Sequence, residues 1–180
     1  TRRQGVEQSD AQVFVMMTMD AMPVDGDLVE KLTAPLEKGD VAVSYGRQMA
    51  GKNSGEIERY TRKFNYPGKG CEKSAKDVEK LGIKAFFCSN VCAAYRRDIY
   101  DRLGGFVSRT IFNEDMIYAA GAIKAGYKIV YAADAKVVHC HNYTYRQQFR
   151  RNFDLGVSQA DHPEVFAAVS SEGEGAALIR

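Results

Sequence analysis

The amino-acid sequence predicts an α/β fold with an open, mostly parallel sheet flanked by helices. Three observations predict it. Segments of strand character alternate with segments of helical periodicity. The first strand-like segment, Gln12-Val13-Phe14-Val15-Met16-Met17-Thr18, reads as one apolar run, as a strand covered on both faces would. The 180 residues are 45% hydrophobic and 27% charged, which suffices for the core of one domain and excludes wholesale disorder.

A helix tail and a turn at Ser9-Asp10 precede that strand. Residues 25–38 read as a helix, because Leu28, Val29, Leu32 and Leu36 recur at three- and four-residue steps before Gly39-Asp40. Val41-Ala42-Val43-Ser44-Tyr45 is a second strand. The polar stretch from Gly51 to Lys84 reads as a helix around Glu56 to Lys63 and then a long loop through Pro67-Gly68-Lys69-Gly70. Loops of that length in a compact domain usually serve a function. Ala85-Phe86-Phe87-Cys88 is apolar again, and a helix over 97–103 ends at Gly104-Gly105. Asn113 is the expected N-cap of a helix reaching Lys124, with Gly126 just beyond. Two strands follow, Tyr127 to Ala132 and Lys136 to His141, broken at Ala133-Asp134. Residues 143 to about 159 form a basic helix interrupted by Gly156, and the polar, Gly-rich residues after it are expected to be poorly ordered.

Composition narrows the function. There are 25 Lys and Arg against 23 Asp and Glu, a formal net charge of +2. So small an excess gives no support for nucleic-acid binding by bulk charge. Cysteines stand at 71, 88, 92 and 140 with no Cys-x-x-Cys pair, which suits a reduced, cytoplasmic protein better than a disulfide scaffold. No stretch has the length and apolarity of a membrane-crossing helix, and no signal-peptide pattern is found. There is no internal repeat and no phosphate-loop pattern. The chain opens on Thr1-Arg2-Arg3 and closes on Leu178-Ile179-Arg180; both ends are expected to be cuts through a longer protein.

Four groups could carry chemistry. Asp20 follows the first strand, and in open α/β sheets ligands sit beyond the carboxyl ends of strands. It either holds a hard divalent cation through oxygen or shapes the turn before Pro23. Glu114 and Asp115 open a helix, where acidic residues complement the dipole; a carboxylate there also suits a general base aimed into a cleft. His139 and His141 would share one face of a strand and could bind a metal or a phosphate, with zinc open if Cys88 and Cys92 join them. Tyr145-Arg146-Gln147-Gln148-Phe149-Arg150-Arg151 could grip phosphate through arginine, touch anionic lipid, or be a solvated basic face.

Taken in order, these phrases resemble a known family. Thr1-Arg2, Thr18-Met19-Asp20-Ala21-Met22-Pro23, Tyr45-Gly46-Arg47-Gln48, Phe64-Asn65-Tyr66-Pro67, Phe87-Cys88-Ser89-Asn90, Arg102-Leu103-Gly104-Gly105-Phe106, Asn113-Glu114-Asp115, His139-Cys140-His141-Asn142-Tyr143 and Gln148-Phe149-Arg150-Arg151-Asn152-Phe153-Asp154-Leu155-Gly156 resemble the bacterial family 2 glycosyltransferases, most closely their rhamnosyltransferase-like branch. The resemblance implies a GT-A fold, a Rossmann-like domain with a mixed, mostly parallel sheet. The family's upstream nucleotide-binding strands have no counterpart, so residues 1–157 would be the C-terminal two-thirds of the catalytic domain, inactive alone. Residues 158–180 would be a polar, flexible tail or the start of a following segment. It implies inverting transfer of a sugar, rhamnose by overall likeness, from a nucleotide diphosphate-sugar such as dTDP-rhamnose to a hydroxyl of a saccharide or lipid-linked saccharide. The product would be cell-surface polysaccharide, made in the cytoplasm with peripheral contact at the inner face of the membrane.

By the same resemblance Asp20 matches the second Asp of Asp-x-Asp, a ligand of Mg²⁺ or Mn²⁺, and Thr18 stands in place of the first. His139 or His141 would complete the metal and diphosphate site. Asp115 matches the catalytic base with Glu114 beside it, and Arg2, Asp20 and Arg150 are assigned to the donor. Gln147, Gln148 and Arg150 loosely follow a Gln-x-x-Arg motif of processive relatives, with Arg151 in place of its usual Trp. Two rivals stand beside this. One is a non-catalytic nucleotide-sugar or glycan-binding domain, which Thr18 favours and the retained Glu114-Asp115 opposes. The other is a small zinc module of Cys88, Cys92, His139 and His141.

Overall fold

A computed structural model describes residues 2–167 and residue 169. Its elements in chain order are α1 (Arg2–Glu7), β1 (Val13–Met17), β2 (Met22–Pro23), α2 (Leu28–Thr33), β3 (Val41–Met49), α3 (Glu56–Asn65), β4 (Cys71–Lys73), α4 (Val78–Leu81), β5 (Cys92–Arg96), α5 (Arg97–Arg102), α6 (Glu114–Lys124), β6 (Lys128–Val138), α7 (Tyr145–Ala160) and α8 (Pro163–Phe166). The strands form one sheet in the order β1-β5-β3-β6-β2, with β4 also paired to β6.

The sheet is mixed, but not mostly parallel. Only β3 and β6 run parallel; β1–β5, β3–β5, β2–β6 and β4–β6 are antiparallel. Parallel pairing needs a crossover that re-enters from the same end, and the chain between β3 and β6, which carries α6, supplies it. The long β6 serves three partners: β3 along one side, β4 against Ile129–Tyr131 and β2 against Val137 and Val138 on the other.

Side-chain alternation divides the sheet between two cores. Ala93 and Tyr95 of β5, with Ile129, Tyr131 and Ala133 of β6, enter an aromatic core with Tyr66, Phe86, Tyr100, Phe106 and Tyr118. Cys92 and Ala94 of β5, with Val130, Ala135 and Val137 of β6, meet Leu28, Leu32 and Leu36 on the opposite face. The break expected at Ala133-Asp134 is a bulge inside one continuous strand. Gly46 pairs with Ala132 and Arg47 with Lys136, so β6 carries extra residues there. The bulge brings the backbone so close that a Cβ on Gly46 would lie 2.7 Å from the Ala135 carbonyl oxygen.

Five local expectations change. The helix expected over 25–38 is α-helical only from Leu28 to Thr33 and tightens into a 3-10 turn over Ala34–Glu37, because Pro35 has no N–H to continue the ladder. In β1 only Phe14 and Met16 pack inward, while Val13, Val15 and Met17 are exposed. Gly156 does not interrupt α7, which Thr144 starts with a capping box to Gln147. Asn113 turns the chain at φ 66° without a side-chain cap bond, a conformation that Asn tolerates better than most residues. The segment expected to be a polar tail begins instead as the last turn of α7 and as α8. There Ser158, Val165 and Phe166 are buried, since burying the two apolar side chains outweighs the polarity around them. Residues 168 and 170–180, where the rest of that tail was expected, lie outside the described residues.

Candidate active site

Pairing of Met17 with Cys92 brings the chain leaving β1 beside the chain entering β5. Thr18 N–H donates to the Val91 carbonyl at 3.2 Å, and Ala21 N–H returns to the Thr18 carbonyl at 3.1 Å. The resulting tight turn presents Asp20, whose side chain is about half exposed.

His139 and His141 lie just past β6, not on it. His139 N–H still donates to the Met49 carbonyl at 3.0 Å, which carries the strand direction one step further. The two rings stand 4.5 Å apart and nearly perpendicular. His139 Nε2 is 3.3 Å and His141 Nε2 3.5 Å from Asp20 Oδ2, and the three donor atoms lie within 4.8 Å of one another. Tyr143 stacks on His141 at 5.0 Å. The Thr18 hydroxyl, ahead of His139 and His141, holds the Asp20 carboxyl below its usual range. Burial, then the Arg62 guanidinium, lowers the His139 pKa, which favours the neutral imidazole.

This donor set, one carboxylate oxygen with two imidazole nitrogens, fits a transition-metal dication such as Mn²⁺ better than Mg²⁺, which prefers oxygen throughout. Cys88 and Cys92 do not join it. Cys88 is buried 3.9 Å from the Tyr95 hydroxyl, with its thiol pushed up to about 12 by burial. Cys92 points into the opposite core. The four-residue zinc module is therefore not assembled.

Asp115 sits in the first turn of α6 and faces the loop before β5. Its Oδ2 accepts from Asn90 N–H and its Oδ1 from Met116 N–H, each at 2.9 Å. Burial, reinforced by the neighbouring Glu114, raises its pKa to about 6. Glu114 accepts from the Asn90 amide at 3.3 Å and pairs with Arg2. Arg2, expected at the donor, thus reaches Glu114 beside Asp115. Arg150 lies on the exposed face of α7, and no hydrogen bond or ion pair among the described residues joins it to Asp20, His139 or His141.

A buried relay connects the two acidic groups. Gln48 Oε1 lies 2.9 Å from His139 Nδ1 and accepts from Arg62. Its amide nitrogen donates to the Tyr66 hydroxyl and, at 2.9 Å, to Ser89 Oγ. Ser89 adjoins Asn90, whose backbone holds Asp115. Gln48 and Asn90 stood in the phrases of the family resemblance without a role of their own, and Arg62 was not singled out from the sequence. The available signal was a polar Gln48 at the inner end of an apolar strand, and Glu58 and Arg62 one helical turn apart.

Comparisons with known proteins identify the family. The family model described as Glycosyl transferase family 2 matches residues 1–104. The O-antigen chain rhamnosyltransferase RfbN of Salmonella typhimurium is 43% identical over 167 residues, 91% of this chain and 53% of its own length. The O-antigen chain rhamnosyltransferase WbaN of Salmonella anatum is 42% identical over 170 residues, 93% of this chain and 53% of its own. The chain thus spans about half the length of the curated relatives it matches. Among solved structures, the mannosyltransferase PcManGT from Pyrobaculum calidifontis, in complex with GDP-Man and Mn²⁺, aligns with a TM-score of 0.58 over 90% of this chain and 42% of that one, at 16% identity. That likeness is one of fold, and it is a GT-A glycosyltransferase fold. The mixed sheet, the matched family model and these relatives together place the chain in glycosyl transferase family 2.

Proposed function

We propose that this chain supplies the cation site and the general base of an inverting glycosyltransferase, one that moves rhamnose from dTDP-rhamnose to a saccharide hydroxyl during surface-polysaccharide synthesis. Identity above 40% to two O-antigen chain rhamnosyltransferases supports the sugar and the pathway class. The nucleotide rests on the same likeness. The observation that carries the mechanism is that Asp20, His139 and His141 converge while the Gln48–Ser89 bond links them to the loop holding Asp115.

In this reading Asp20, His139 and His141 hold Mn²⁺ or Mg²⁺. Held there, such an ion would supply positive charge against the negative charge developing on the departing nucleoside diphosphate. Asp115 Oδ accepts the proton of the acceptor hydroxyl as its oxygen attacks the anomeric carbon, opposite the leaving diphosphate, and the configuration inverts. A carboxylate whose pKa lies near 6 is ionised at pH 7 yet basic enough to share a proton in the transition state. Glu114, held by Arg2 and Asn90, lines the acceptor side. Residues 1–157, with α8 packed back on them, belong to one catalytic domain.

The outer face of α7 extends the reading to a membrane. Tyr145, Phe149 and Phe153 are exposed at four-residue spacing, with Arg146 and Arg150 beside them. An aromatic stripe edged by arginine suits the cytoplasmic leaflet, where a lipid-linked acceptor would be held.

The test uses the complete protein with dTDP-rhamnose, an O-antigen-type acceptor and Mn²⁺ or Mg²⁺. Transfer with inverted anomeric configuration, lost on chelation, is expected. Transfer that survives chelation, or product with retained configuration, would overturn the mechanism; turnover of another nucleotide-sugar alone would overturn the donor.

A further inference from the structure

We propose that Glu58, Arg62 and Gln48 are positioning residues that fix His139 as its Nδ1–H tautomer, leaving the Nε2 lone pair aimed at the cation. The proposal rests on the cation site described above and deepens it.

The argument begins with Arg62, which can only donate hydrogen bonds. Glu58 accepts from Arg62 Nε at 2.9 Å, and both side chains are largely buried, so the guanidinium has a defined position. From there Arg62 donates to one terminal atom of the Gln48 amide. That atom must be the oxygen, because a flipped amide would set two donors face to face. The Gln48 orientation is therefore determined by Arg62. The same oxygen is 2.9 Å from His139 Nδ1. An amide oxygen accepts only, so this bond needs the proton on Nδ1; Arg62 Nη2, a donor that would need a bare Nδ1, is farther away at 3.4 Å. A neutral imidazole has one N–H; the buried Gln48 oxygen and the half-exposed Asp20 carboxylate, 3.3 Å from Nε2, compete for it, and holding it on Nδ1 leaves Nε2 a bare acceptor.

The remaining amide hydrogens of Gln48 are also committed, to Tyr66 and Ser89. Gln48 is 2% exposed, so water does not compete for it. Glu58 further accepts from His141 N–H at 3.4 Å, which ties the second imidazole's backbone to the same helix. An imidazole ligand whose other nitrogen is held this way binds metal more tightly, and loss of such a partner typically costs about 10–100-fold in affinity.

The tautomer can be read without metal, donor or activity. Histidine ¹⁵N correlation spectra of the metal-free complete protein at pH 8 should show His139 Nε2 as the unprotonated nitrogen. Mn²⁺ affinity, measured from the electron paramagnetic resonance of the free ion, is the second readout. In Gln48→Leu the tautomer should become mixed and Mn²⁺ affinity should fall about 10–100-fold. In Gln48→Glu a carboxylate still accepts from Nδ1–H and Arg62, and the Tyr66 and Ser89 hydroxyls can donate to its second oxygen. Tautomer and affinity should then stay near wild type. Arg62→Met frees the amide to flip and should mix the tautomers with Gln48 intact.

A wild-type His139 protonated on Nε2 would overturn the proposal with no variant needed. So would a folded Gln48→Leu of unchanged Mn²⁺ affinity, or a Gln48→Glu as weak as Gln48→Leu. A wild-type protein that binds no Mn²⁺ but shows the Nδ1–H form would instead sink the cation reading while leaving the positioning of His139 standing.

Discussion

Asp115→Asn separates the cost of Asp115 to the fold from its use in chemistry. Its pKa rises from the ordinary 3.8 to about 6, first through burial and then through Glu114. Between those values the folded protein keeps a proton that the unfolded chain has released. Stability is therefore lost as pH rises through this window, and it is regained below it. The full loss is at most about 3 kcal/mol, because solvent at this partly exposed residue screens the penalty. Asn cannot ionise, so the variant lacks this dependence. It also has one acceptor oxygen where Asn90 N–H and Met116 N–H both donate, a pH-independent cost of about 1–2 kcal/mol. Urea unfolding followed by circular dichroism should find the variant less stable than wild type at pH 4. The gap should close or reverse by pH 8, a relative change of about 2 kcal/mol. Turnover of the complete protein should fall roughly 10²-fold or more with donor affinity unchanged, and Glu114→Gln should be milder. Parallel stability profiles from pH 4 to pH 8 would refute the burial argument. A near-normal Asp115→Asn with an inactive Glu114→Gln would reverse the assignment of the base.

Other consequences can be checked separately. Asp20→Ala should abolish metal-dependent transfer in the complete protein while leaving its circular dichroism unchanged; wild-type turnover at saturating Mn²⁺ would remove Asp20 from the site. Gly46→Ala forces a Cβ against the Ala135 backbone and should cost about 1–3 kcal/mol, read as a lower Tm; an unchanged Tm would mean that the bulge yields freely. Lys73 is buried, and its pKa is lowered to about 8 chiefly by burial. The folded state thus favours the neutral amine, so wild type should gain up to about 3 kcal/mol over Lys73→Met as pH rises from 7 to 11. Flat relative stability across that range would show that bonds to Tyr45 and the Lys84 and Phe87 carbonyls hold the charge without penalty. The exposed edge strand β1, with Val13, Val15 and Met17 outward, should promote self-association of this chain; Val15→Lys should raise the monomer fraction in sedimentation.

Local chemistry was legible where nearby residues dominate the energy. The α3 and α6 segments and the start of β3 were readable because apolar spacing and charge placement act within a few residues. Sheet direction was not, since strand pairing depends on which distant segments meet: β5, which follows the apolar run noted at 85–88 and was not read as a strand, returns antiparallel between β1 and β3. Pro35 could have been weighed against the Leu28–Leu36 spacing; the lost N–H outweighed the periodicity. Val165 and Phe166 were hidden by polar neighbours, because composition averages over a window while burial is decided residue by residue.

The site divides in the same way. Sequence alone determined which residues have the right chemistry: a carboxylate after a strand at Asp20, paired imidazoles at His139 and His141, and acids at a helix start in Glu114 and Asp115. Identity of a side chain sets what it can donate, accept or ligate, and that is local information. Only the tertiary structure decided which of these groups meet. It brought Asp20 to both histidines across more than a hundred residues of chain, kept Cys88 and Cys92 apart from them, and drew Arg2 to Glu114. It also raised the pKa of Asp115, because that shift comes from the partial loss of water around a carboxylate, and that water is displaced only once the distant loop carrying Asn90 has packed against it.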